Sequence, residues 1–284
     1  MSGKDLTINI KGQLIDFAVP KVMAIVNITP DSFYSHSRSF DDESIKKRIL
    51  DVIEEGADII DLGGCSTRPG ATDISEEEEI RRLEKGLQII RAIDSEVILS
   101  VDTWRADVAR KCIEDWGADI INDVSGGSRQ PEIFDVIAQT GAVYILTHSR
   151  AVPATMDGRQ VYDDVTAEVI SELSKTVDRL RQMKIKDIII DPGFGFAKNP
   201  VQSLQLLDEL NEFCKMGMPV LAGLSRKSMI WKTLSTSPEE SYEGTIALNA
   251  IALDRGANIL RVHDVRGAKE AVKLITEMKK HKNK

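Results

Sequence analysis

The segment Gly56–Leu62 reads GADIIDL, and its first five residues recur in closely related form at two later points of the chain. The second copy is Gly117–Ile121 (GADII), and the third is Gly256–Leu260 (GANIL). Glycine suits the left-handed backbone position that ends a helix, and the apolar pair can then open a buried strand. The repeated segment therefore predicts three junctions between a helix and the strand that follows it.

Short apolar runs alternate with longer amphipathic segments along the whole chain. The runs are Val22–Val26, Ile59–Leu62, Val97–Val101, Ile120–Ile121, Ala142–Leu146, Ile188–Ile190, Val220–Ala222 and Ile259–Val262. Continuous hydrophobicity is typical of strands that are buried on both faces of a parallel sheet. Eight such units favour an α/β fold, a single (β/α)8 TIM barrel, over the alternative of an open doubly wound sheet.

Residues 1–20 are predicted to form a short β-hairpin that precedes the repeating units, with its turn at Lys11 and Gly12. Its two strands would be Leu6–Ile10 and Gln13–Phe17. Since no Pro- or Ser-rich linker divides the chain, we expect one domain over residues 1–284. The Lys-rich residues 280–284 are expected to form a frayed tail.

Two of the helices have clear signatures in the sequence. Ser75 and Glu78 have the spacing of a capping box, in which both side chains bind free amides of the first turn. A later segment repeats apolar residues at helical spacing, at Val165, Val169, Leu173, Val177 and Leu180. Both segments are predicted to be crossover helices of the barrel.

Composition restricts the classes to which this protein can belong. The chain has 284 residues, 42% hydrophobic and 29% charged, with a net charge of −8. No basic stripe is dense enough to follow a nucleic-acid backbone, which disfavours nucleic-acid binding. No apolar run approaches the ~20 residues that cross a bilayer, and the start lacks the apolar core of a signal peptide. The scattered Cys65, Cys112 and Cys214 suit a reducing compartment, so we expect a cytoplasmic protein without a membrane partner.

Nearly every predicted strand ends in polar or ionisable residues. They are Asn27, Asp61, Asp102, Asn122, Asp123, His148, Asp191, Ser225, Arg261 and His263. In a (β/α)8 barrel the carboxyl ends of all strands meet at one face, where active sites are built. An isolated Asp could simply cap the next helix. Because the pattern holds at so many strand ends, it predicts a binding site at that face instead.

Seven short motifs occur in the order in which dihydropteroate synthases carry them. They are Asn27–Phe33 (NITPDSF), Gly63–Gly70 (GGCSTRPG), Ser100–Thr103 (SVDT), Ile121–Gly127 (INDVSGG), Asp191–Phe196 (DPGFGF), Gly223–Ser228 (GLSRKS) and Arg261–Val265 (RVHDV). Each string alone is weakly specific, but the ordered set is highly specific. Over about residues 22–275 the chain therefore resembles the dihydropteroate synthase family, which implies a TIM barrel that joins a pterin pyrophosphate to p-aminobenzoate.

The resemblance implies a pterin pocket at the barrel mouth. Asp191 would accept adjacent N–H groups of the ring in a charge-assisted pair, with a structural cap as the alternative role. Asn122 would match the remaining edge as donor and acceptor, and Asp102 would lie beside the same ring. Lys227 would donate to the pterin carbonyl and a ring nitrogen. The family pattern also places Phe196 and Gly223 in this pocket.

The resemblance implies sites for diphosphate and p-aminobenzoate next to the pterin. Arg261 and His263 share one face of a strand, as positions i and i+2 must, and a cation with an imidazole suits a diphosphate. Ser225 would lie near the p-aminobenzoate carboxylate, with N-capping of the helix from Met229 as the alternative. Asn27 would bind a Mg²⁺ that keeps water and phosphate ligands. Loop residues expected around these substrates are Thr67, Arg68, Phe33 and Pro69.

The implied reaction displaces diphosphate from the pterin methyl carbon with the amine of p-aminobenzoate, in an SN1-like manner. Mg²⁺, Arg261, His263 and Arg68 would neutralise the charge of the leaving group, while the pterin ring, held by Asp102 and Asp191, supports the cationic carbon. Many relatives carry an Asp followed by glycines where this chain has Tyr34–Arg38. Asp31 would therefore have to steady the cationic intermediate alone.

Two other positions depart from the family pattern, and two other functions stay open. Ser149 stands in a segment where a Met-His-Met pattern is common, and Ala197 replaces a usual Gly. A pterin-binding methyltransferase would share Asp102, Asn122 and Asp191. A non-catalytic pterin-binding paralogue is the second alternative.

The family resemblance also implies a homodimer formed through helices far from the mouth. Trp231, Ile246 and Leu253 could contribute an apolar face to such a contact, or could equally belong to the core.

Overall fold

The computed structural model describes residues 6–28, 42–65, 74–150 and 161–282. The strands are β1 (Thr7–Ile10), β2 (Gln13–Asp16), β3 (Lys21–Asn27), β4 (Ile59–Gly63), β5 (Ile98–Asp102), β6 (Ile120–Asp123), β7 (Val143–Thr147), β8 (Ile188–Asp191), β9 (Leu221–Ala222) and β10 (Ile259–Val262). The helices are α1 (Asp42–Glu54), α2 (Glu76–Ile93), α3 (Ala106–Trp116), α4 (Ile133–Thr140), α5 (Val165–Gln182), α6 (Pro200–Asp208), α7 (Leu210–Cys214), α8 (Ser228–Trp231), α9 (Tyr242–Asp254) and α10 (Val265–Lys282).

Strands β3 to β10 form one parallel sheet that closes on itself. The order of its strands is β8-β7-β6-β5-β4-β3-β10-β9. The two end strands of this order meet through a parallel bridge between Ile190 and Val220. The Ile190 amide also donates to the Pro219 carbonyl at 2.9 Å. The predicted (β/α)8 barrel is confirmed, and every barrel strand overlaps one of the predicted apolar runs.

Alternate residues of each barrel strand face inward, because successive side chains of a strand point to opposite faces. On β4, Ile60 and Leu62 pack outward against the helices, whereas Ile59 faces the interior. The inward apolar residues at the strand starts form one cluster, consisting of Met23, Ile59, Ile120, Val143, Ile145, Ile189, Leu221 and Ile259. Beyond this layer the inward positions become polar, which places the polar strand ends around one barrel mouth.

The predicted N-terminal hairpin is confirmed, and it covers the opposite end of the barrel from the polar residues. Lys11 and Gly12 both have left-handed backbone angles, with φ of 48° and 89°, which suits a tight hairpin turn. The buried hairpin residues join the inward apolar cluster; they are Leu6, Ile8, Ile10 and Phe17. Lys11 also pairs with Asp119 at 2.6 Å. The hairpin thus closes the amino end of the barrel.

The helix ends follow the predicted glycine pattern. Gly56, Gly117 and Gly256 have φ of 88°, 67° and 105°, all in the left-handed region. The Gly117 amide donates to the Ile113 carbonyl at 3.1 Å and so ends α3. The prediction of three helix-to-strand junctions is therefore confirmed.

The predicted capping box at the start of α2 forms only in part. Ser75 Oγ accepts from the Glu78 amide at 3.3 Å, as expected. The Glu78 carboxylate instead binds Arg81 at 2.8 Å and Arg82 at 2.7 Å. Two charged partners one turn away outcompete the single backbone amide for this carboxylate.

The C-terminal helix continues further than the sequence pattern indicates. α10 runs through Lys282, so residues 280–282 of the predicted tail are helical, and residues 283–284 lie outside the described part. Lys279 Nζ donates to the Leu253 carbonyl at 2.7 Å, which anchors this end of the helix. Across the described ranges, no helix has the length and apolar character needed to span a membrane.

Candidate active site

A buried ion-pair network crosses the barrel interior below the mouth. Arg261 of β10 donates from Nε to Asp61 Oδ2 and from Nη2 to Asp102 Oδ2, each at 2.6 Å. Asp61 of β4 also accepts from Ser100 Oγ at 2.6 Å and from Asn122 Nδ2 at 3.0 Å. Asp61 is therefore the residue that joins β4, β5, β6 and β10 at this level.

Asp61 received no role of its own from the sequence, although it stood among the polar strand ends. The sequence feature that could have indicated a role for Asp61 is its predicted inward position on β4, two residues after Ile59, where other strands also carry polar inward residues. What the sequence could not reveal is that Arg261, 200 residues away, would point at it.

Asp102 keeps one carboxylate oxygen for a ligand. Its Oδ1 is buried and has no hydrogen-bond partner among the described residues. Burial raises the pKa of Asp102 to about 7, although the adjacent Arg261 opposes this change. A buried acceptor without a donor is costly, so this oxygen suits a donor that a substrate brings.

Asn27 lies at the same rim, beside Asp102. The strand register aligns Asn27 with Gly63, and Gly63 with Asp102. A Cβ at Gly63 would come within 2.9 Å of Asn27 Oδ1, so glycine leaves room for this amide. Across the parts of the chain that the structure describes, no group of three or more His, Cys, Asp or Glu side chains could hold a metal ion.

Asp191 and Lys227 form a second charged pair on the far side of the mouth. Asp191 Oδ1 accepts from the Gly193 amide at 2.8 Å, and Lys227 Nζ donates to the Phe194 carbonyl at 2.6 Å. Burial raises the pKa of Asp191, and the charge of Lys227 opposes that change. Burial also lowers the pKa of Lys227 to about 8.

Gly223 lies beside both of these charged groups and adds no side chain between them. A Cβ at Gly223 would lie 3.7 Å from Lys227 Nζ and 3.9 Å from Asp191 Oδ2. Lys227 Nζ also lies 4.9 Å from the centroid of the Phe196 ring. Asp191, Phe196, Gly223 and Lys227 are therefore neighbours at the mouth, where an aromatic ring lies beside two charged groups.

Ser225, two residues before Lys227, meets His263, which follows β10. Ser225 Oγ lies 2.9 Å from His263 Nδ1 and accepts from the His263 amide at 3.3 Å. Burial lowers the pKa of His263 to about 4, so the imidazole is neutral at pH 7. Ser225 does not cap a helix, because α8 is a single turn whose N-cap residue is Lys227. The alternative capping role for Ser225 is therefore wrong.

Comparison with known proteins identifies the family to which this chain belongs. Residues 23–263 match the family described as pterin binding enzyme. The dihydropteroate synthase of Escherichia coli (strain K12) is 40% identical over 272 residues, which covers 93% of this chain and 94% of that protein. This chain belongs to the dihydropteroate synthase family.

Solved dihydropteroate synthases share the fold over nearly the whole chain. The Xanthomonas albilineans dihydropteroate synthase with 4-aminobenzoic acid has a TM-score of 0.88 and 37% identity, and covers 98% of this chain and 99% of its own. The same enzyme in complex with 7,8-dihydropteroate has a TM-score of 0.84 and 35% identity, with coverages of 96% and 98%. A relative from Mycobacterium leprae named inactive dihydropteroate synthase 2 is 35% identical over 264 residues, 90% of each chain.

His148 is a packed residue beside the candidate site. Lys198 Nζ lies 2.9 Å from its Nδ1, and Glu172 Oε2 lies 2.9 Å from its Nε2. If Lys198 donates as an ammonium, the proton of the neutral ring is on Nε2 and is donated to Glu172. Burial lowers the pKa of His148 to about 4, in agreement with a neutral ring.

Lys198 is a second residue to which sequence reasoning gave no role. Its Nζ also donates to the carbonyls of Gly193 and Phe196, at 2.9 and 3.0 Å. The side chain is 7% exposed, and burial lowers its pKa to about 7. The sequence feature that could have indicated a role for Lys198 is its charge directly after the glycine-rich segment that follows β8.

Several expected site residues lie outside the described residues. They are Asp31, Phe33, Thr67, Arg68 and Pro69, together with the departure at Tyr34–Arg38. The expected site residues that the structure describes lie around one barrel mouth; they are Asn27, Asp102, Asn122, Asp191, Phe196, Gly223, Ser225, Lys227, Arg261 and His263. Ala197, which replaces a usual family Gly, has a φ of 50°.

Proposed function

We propose that this protein condenses 6-hydroxymethyl-7,8-dihydropterin pyrophosphate with p-aminobenzoate, giving 7,8-dihydropteroate and diphosphate in folate biosynthesis. Family membership over most of the chain supports this activity. Related structures with 4-aminobenzoic acid and with 7,8-dihydropteroate support the substrate classes. The observation that carries the proposal is the mouth itself, where Asp102 Oδ1 is buried without a partner in the described part of the chain.

The pterin ring would lie between Asp102 and Asp191. The free Oδ1 of Asp102 would accept one ring N–H group, and the carboxylate of Asp191 would accept the adjacent pair. Asn122 donates one Nδ2 hydrogen to Asp61, so its side-chain oxygen and its second N–H group are available to bind the ring edge. Lys227 would donate to the ring carbonyl, and Gly223 adds no side chain between Lys227 and Asp191.

The diphosphate would meet a site with less free charge than the sequence indicates. Arg261 already uses Nε and Nη2 on Asp61 and Asp102, so only its remaining N–H groups can reach a phosphate. His263 is neutral at pH 7, because burial lowers its pKa to about 4. It would therefore donate a hydrogen bond from Nε2, while Ser225 lies near the p-aminobenzoate carboxylate.

The protein ligands around Asn27 fit Mg²⁺ only if the ion is bound together with the diphosphate of the substrate. One amide oxygen stands at the rim, without a described cluster of carboxylates around it. Mg²⁺ retains waters and takes phosphate oxygens as ligands, so Asn27 with the diphosphate is a suitable donor set. When bound, the ion would supply positive charge that stabilises the departing diphosphate.

The reaction would need no strong base, since an arylamine is neutral near pH 7. The C–O bond to diphosphate breaks with its electron pair leaving on the diphosphate, and the amine nitrogen forms the new C–N bond. The surplus proton is then lost from that nitrogen. Ionised Asp102 and Asp191 would stabilise positive charge on the pterin as the bond breaks, which favours an SN1-like path. Asp31, Thr67, Arg68, Phe33 and Pro69 stay proposed contacts from outside the described residues.

One assay separates this function from its two rivals. The purified protein is incubated with Mg²⁺, dihydropterin pyrophosphate and p-aminobenzoate, and diphosphate and dihydropteroate are quantified by chromatography. Equal amounts of both products are expected, and Asp191→Ala should abolish them together with pterin binding. The inactive relative makes a non-catalytic paralogue the second candidate. Pterin binding without products would support that paralogue, and methyl transfer from a folate would support a methyltransferase.

We also propose a cytoplasmic homodimer. α9 and α10 carry exposed apolar residues that a second copy could cover, namely Ile251, Leu274 and Met278. Trp231 and Ile246 are half-buried, whereas Leu253 is buried in the core and cannot belong to that face. Light scattering after gel filtration would test this, and a mass near the 31.5 kDa of one chain would contradict it.

A further inference from the structure

The last residue of β7 carries a buried hydroxyl without a partner in the described part of the chain. Thr147 is 1% exposed, and its Oγ1 makes no hydrogen bond to any described residue. A buried hydroxyl loses its hydration, so leaving it unpaired costs stability. Such an exception calls for an explanation, and the position of the hydroxyl decides which one applies.

The side chain of Thr147 faces the barrel interior. On β7, Val143 and Ile145 belong to the inward apolar cluster, whereas Tyr144 and Leu146 pack outward under the helices. Successive side chains alternate along a strand, so Thr147 shares the inward face of Ile145. The outward residue that follows, His148, contacts Glu172 of α5, as this alternation requires.

The strand register places this hydroxyl in the wall of the substrate pocket. Thr147 is the register partner of Asp191 on β8. On the other side of β7, the neighbouring strand β6 pairs Asn122 with Ile145. Ile145 is the inward residue that precedes Thr147 by two positions. Gly126 packs closely against this strand end, since a Cβ there would come within 2.5 Å of the Thr147 carbonyl oxygen. The hydroxyl therefore stands between Asn122 and Asp191.

We propose that the Thr147 hydroxyl binds the edge of the pterin ring between the atoms bound by Asn122 and Asp191. This inference rests on the proposed function, because it takes the pterin as the occupant of the pocket. A hydroxyl can rotate to donate or to accept, so it can match a ring nitrogen or an N–H group. Thr147 is thus a specificity-determining residue of the pocket that lacks a partner until the substrate enters.

The test compares two substitutions at this position with a matched control. Thr147→Val removes the hydroxyl at nearly constant shape, and Thr147→Ser keeps the hydroxyl but removes the methyl group. Thr166→Val is the control, because Thr166 is also buried and its Oγ1 also has no described partner, but it lies on α5 outside the barrel. The measurements are the Kd for dihydropterin pyrophosphate by calorimetry and the Tm of each variant without ligand.

We expect Thr147→Val to weaken pterin binding on the order of ten-fold, since a polar ring atom loses its partner. Its Tm should not fall, because the free protein loses an unpaired buried hydroxyl. Thr147→Ser should bind within about three-fold of the wild type, since it retains the hydrogen bond. Thr166→Val should bind like the wild type.

The failures of the two proposals are distinguishable. A wild-type protein that does not bind the pterin would refute the proposed function itself. If the wild type binds and Thr147→Val binds equally well, the hydroxyl has no role and the inference is wrong. Equal losses in Thr147→Val and Thr147→Ser would show that keeping the hydroxyl does not preserve affinity, which would assign the effect to the shape of the pocket wall and also refute the inference. A lowered Tm together with weaker binding would show a structural role instead.

Discussion

At the scale of single residues, burial moves the charged groups of the site toward their neutral forms. It raises the pKa of Asp102 to about 7 and lowers the pKa values of Lys227 to about 8 and of His263 to about 4. In each case the loss of hydration is the largest cause. The mouth therefore carries less fixed charge at pH 7 than its residues suggest, and its binding should depend on pH.

Pterin affinity should increase between pH 6 and pH 8 as Asp102 ionises. Below its pKa of about 7 the protonated oxygen is a poorer acceptor for ring N–H groups. Ionisation of this single group predicts that Kd falls about ten-fold over this range. Calorimetry at four pH values would measure it. Asp102→Asn should bind more weakly and without this dependence, whereas the surface variant Asp208→Asn should follow the wild type.

At the scale of secondary-structure elements, the loop after β8 is held against the end of β7. Lys198 Nζ lies 2.9 Å both from His148 Nδ1 and from the Gly193 carbonyl. Gly193 has a φ of 72°, and a Cβ there would come within 1.9 Å of the His148 carbonyl oxygen. Both the buried lysine and the glycine are therefore needed for the position of this loop, which carries Phe196 to the pocket.

Gly193→Ala should destabilise the protein much more than Gly141→Ala, a substitution at a glycine with the same φ. Gly141 has the same φ of 72°, but a Cβ there would meet nothing within 4 Å. Gly141→Ala should therefore cost only the left-handed backbone strain, about 1 kcal/mol. Gly193→Ala adds a clash with backbone and should cost about 3 kcal/mol or more. Urea unfolding of both variants measures this, and similar losses would contradict the proposed close packing.

Lys198→Met should remove part of the pH dependence of stability. The folded-state pKa of Lys198 is lowered from 10.5 to about 7, so between these values the unfolded chain binds a proton that the folded protein does not. Stability from this group therefore rises with pH from about 7 toward 10.

The measurement for Lys198→Met is the free energy of unfolding at pH 7 and at pH 9. The wild type should gain more stability over this interval than the variant. Lys215→Met is the control, because Lys215 is a surface residue paired with Glu212, and it should gain as much as the wild type. An equal gain in Lys198→Met would show that Lys198 keeps its proton in the folded state.

At the scale of the whole molecule, the barrel separates stability from chemistry. The hairpin and the inward apolar cluster fill the amino end of the barrel, and the expected site residues that the structure describes surround the carboxyl end. Residues at the amino end of a TIM barrel serve stability, whereas the opposite end carries activity. Substitutions at the two ends should therefore have separable effects.

Ile8→Ala in the hairpin should lower stability without changing substrate affinity. Ile8 is 2% exposed within the inward cluster, and its truncation should cost about 3 kcal/mol. Leu14 of the same hairpin is 70% exposed, so Leu14→Ala should cost no more than about 0.5 kcal/mol. The Tm of each variant would be measured by thermal unfolding, and the KM for both substrates would be measured at 25 °C. A raised KM in Ile8→Ala would show that the two ends are coupled.

The features that depend on near neighbours in the chain were predictable from the sequence. The eight barrel strands, the hairpin turn at Lys11 and Gly12, and the helix ends at Gly56, Gly117 and Gly256 all follow from local residue patterns. Polar residues at the strand ends predicted which end of the barrel would hold the site. These predictions succeed because backbone preferences and burial periodicity act over a few residues.

Only the tertiary structure decided which of those polar residues meet and which partners they choose. Arg261 lies between Asp61 and Asp102, 200 and 159 residues away, because closure of the barrel brings these inward side chains of β10, β4 and β5 within hydrogen-bond distance. Lys198 binds His148, and Glu78 prefers two arginines to its capping amide. Such choices are competitions between partners that are distant in sequence, and only closure of the barrel determines which of them are within reach.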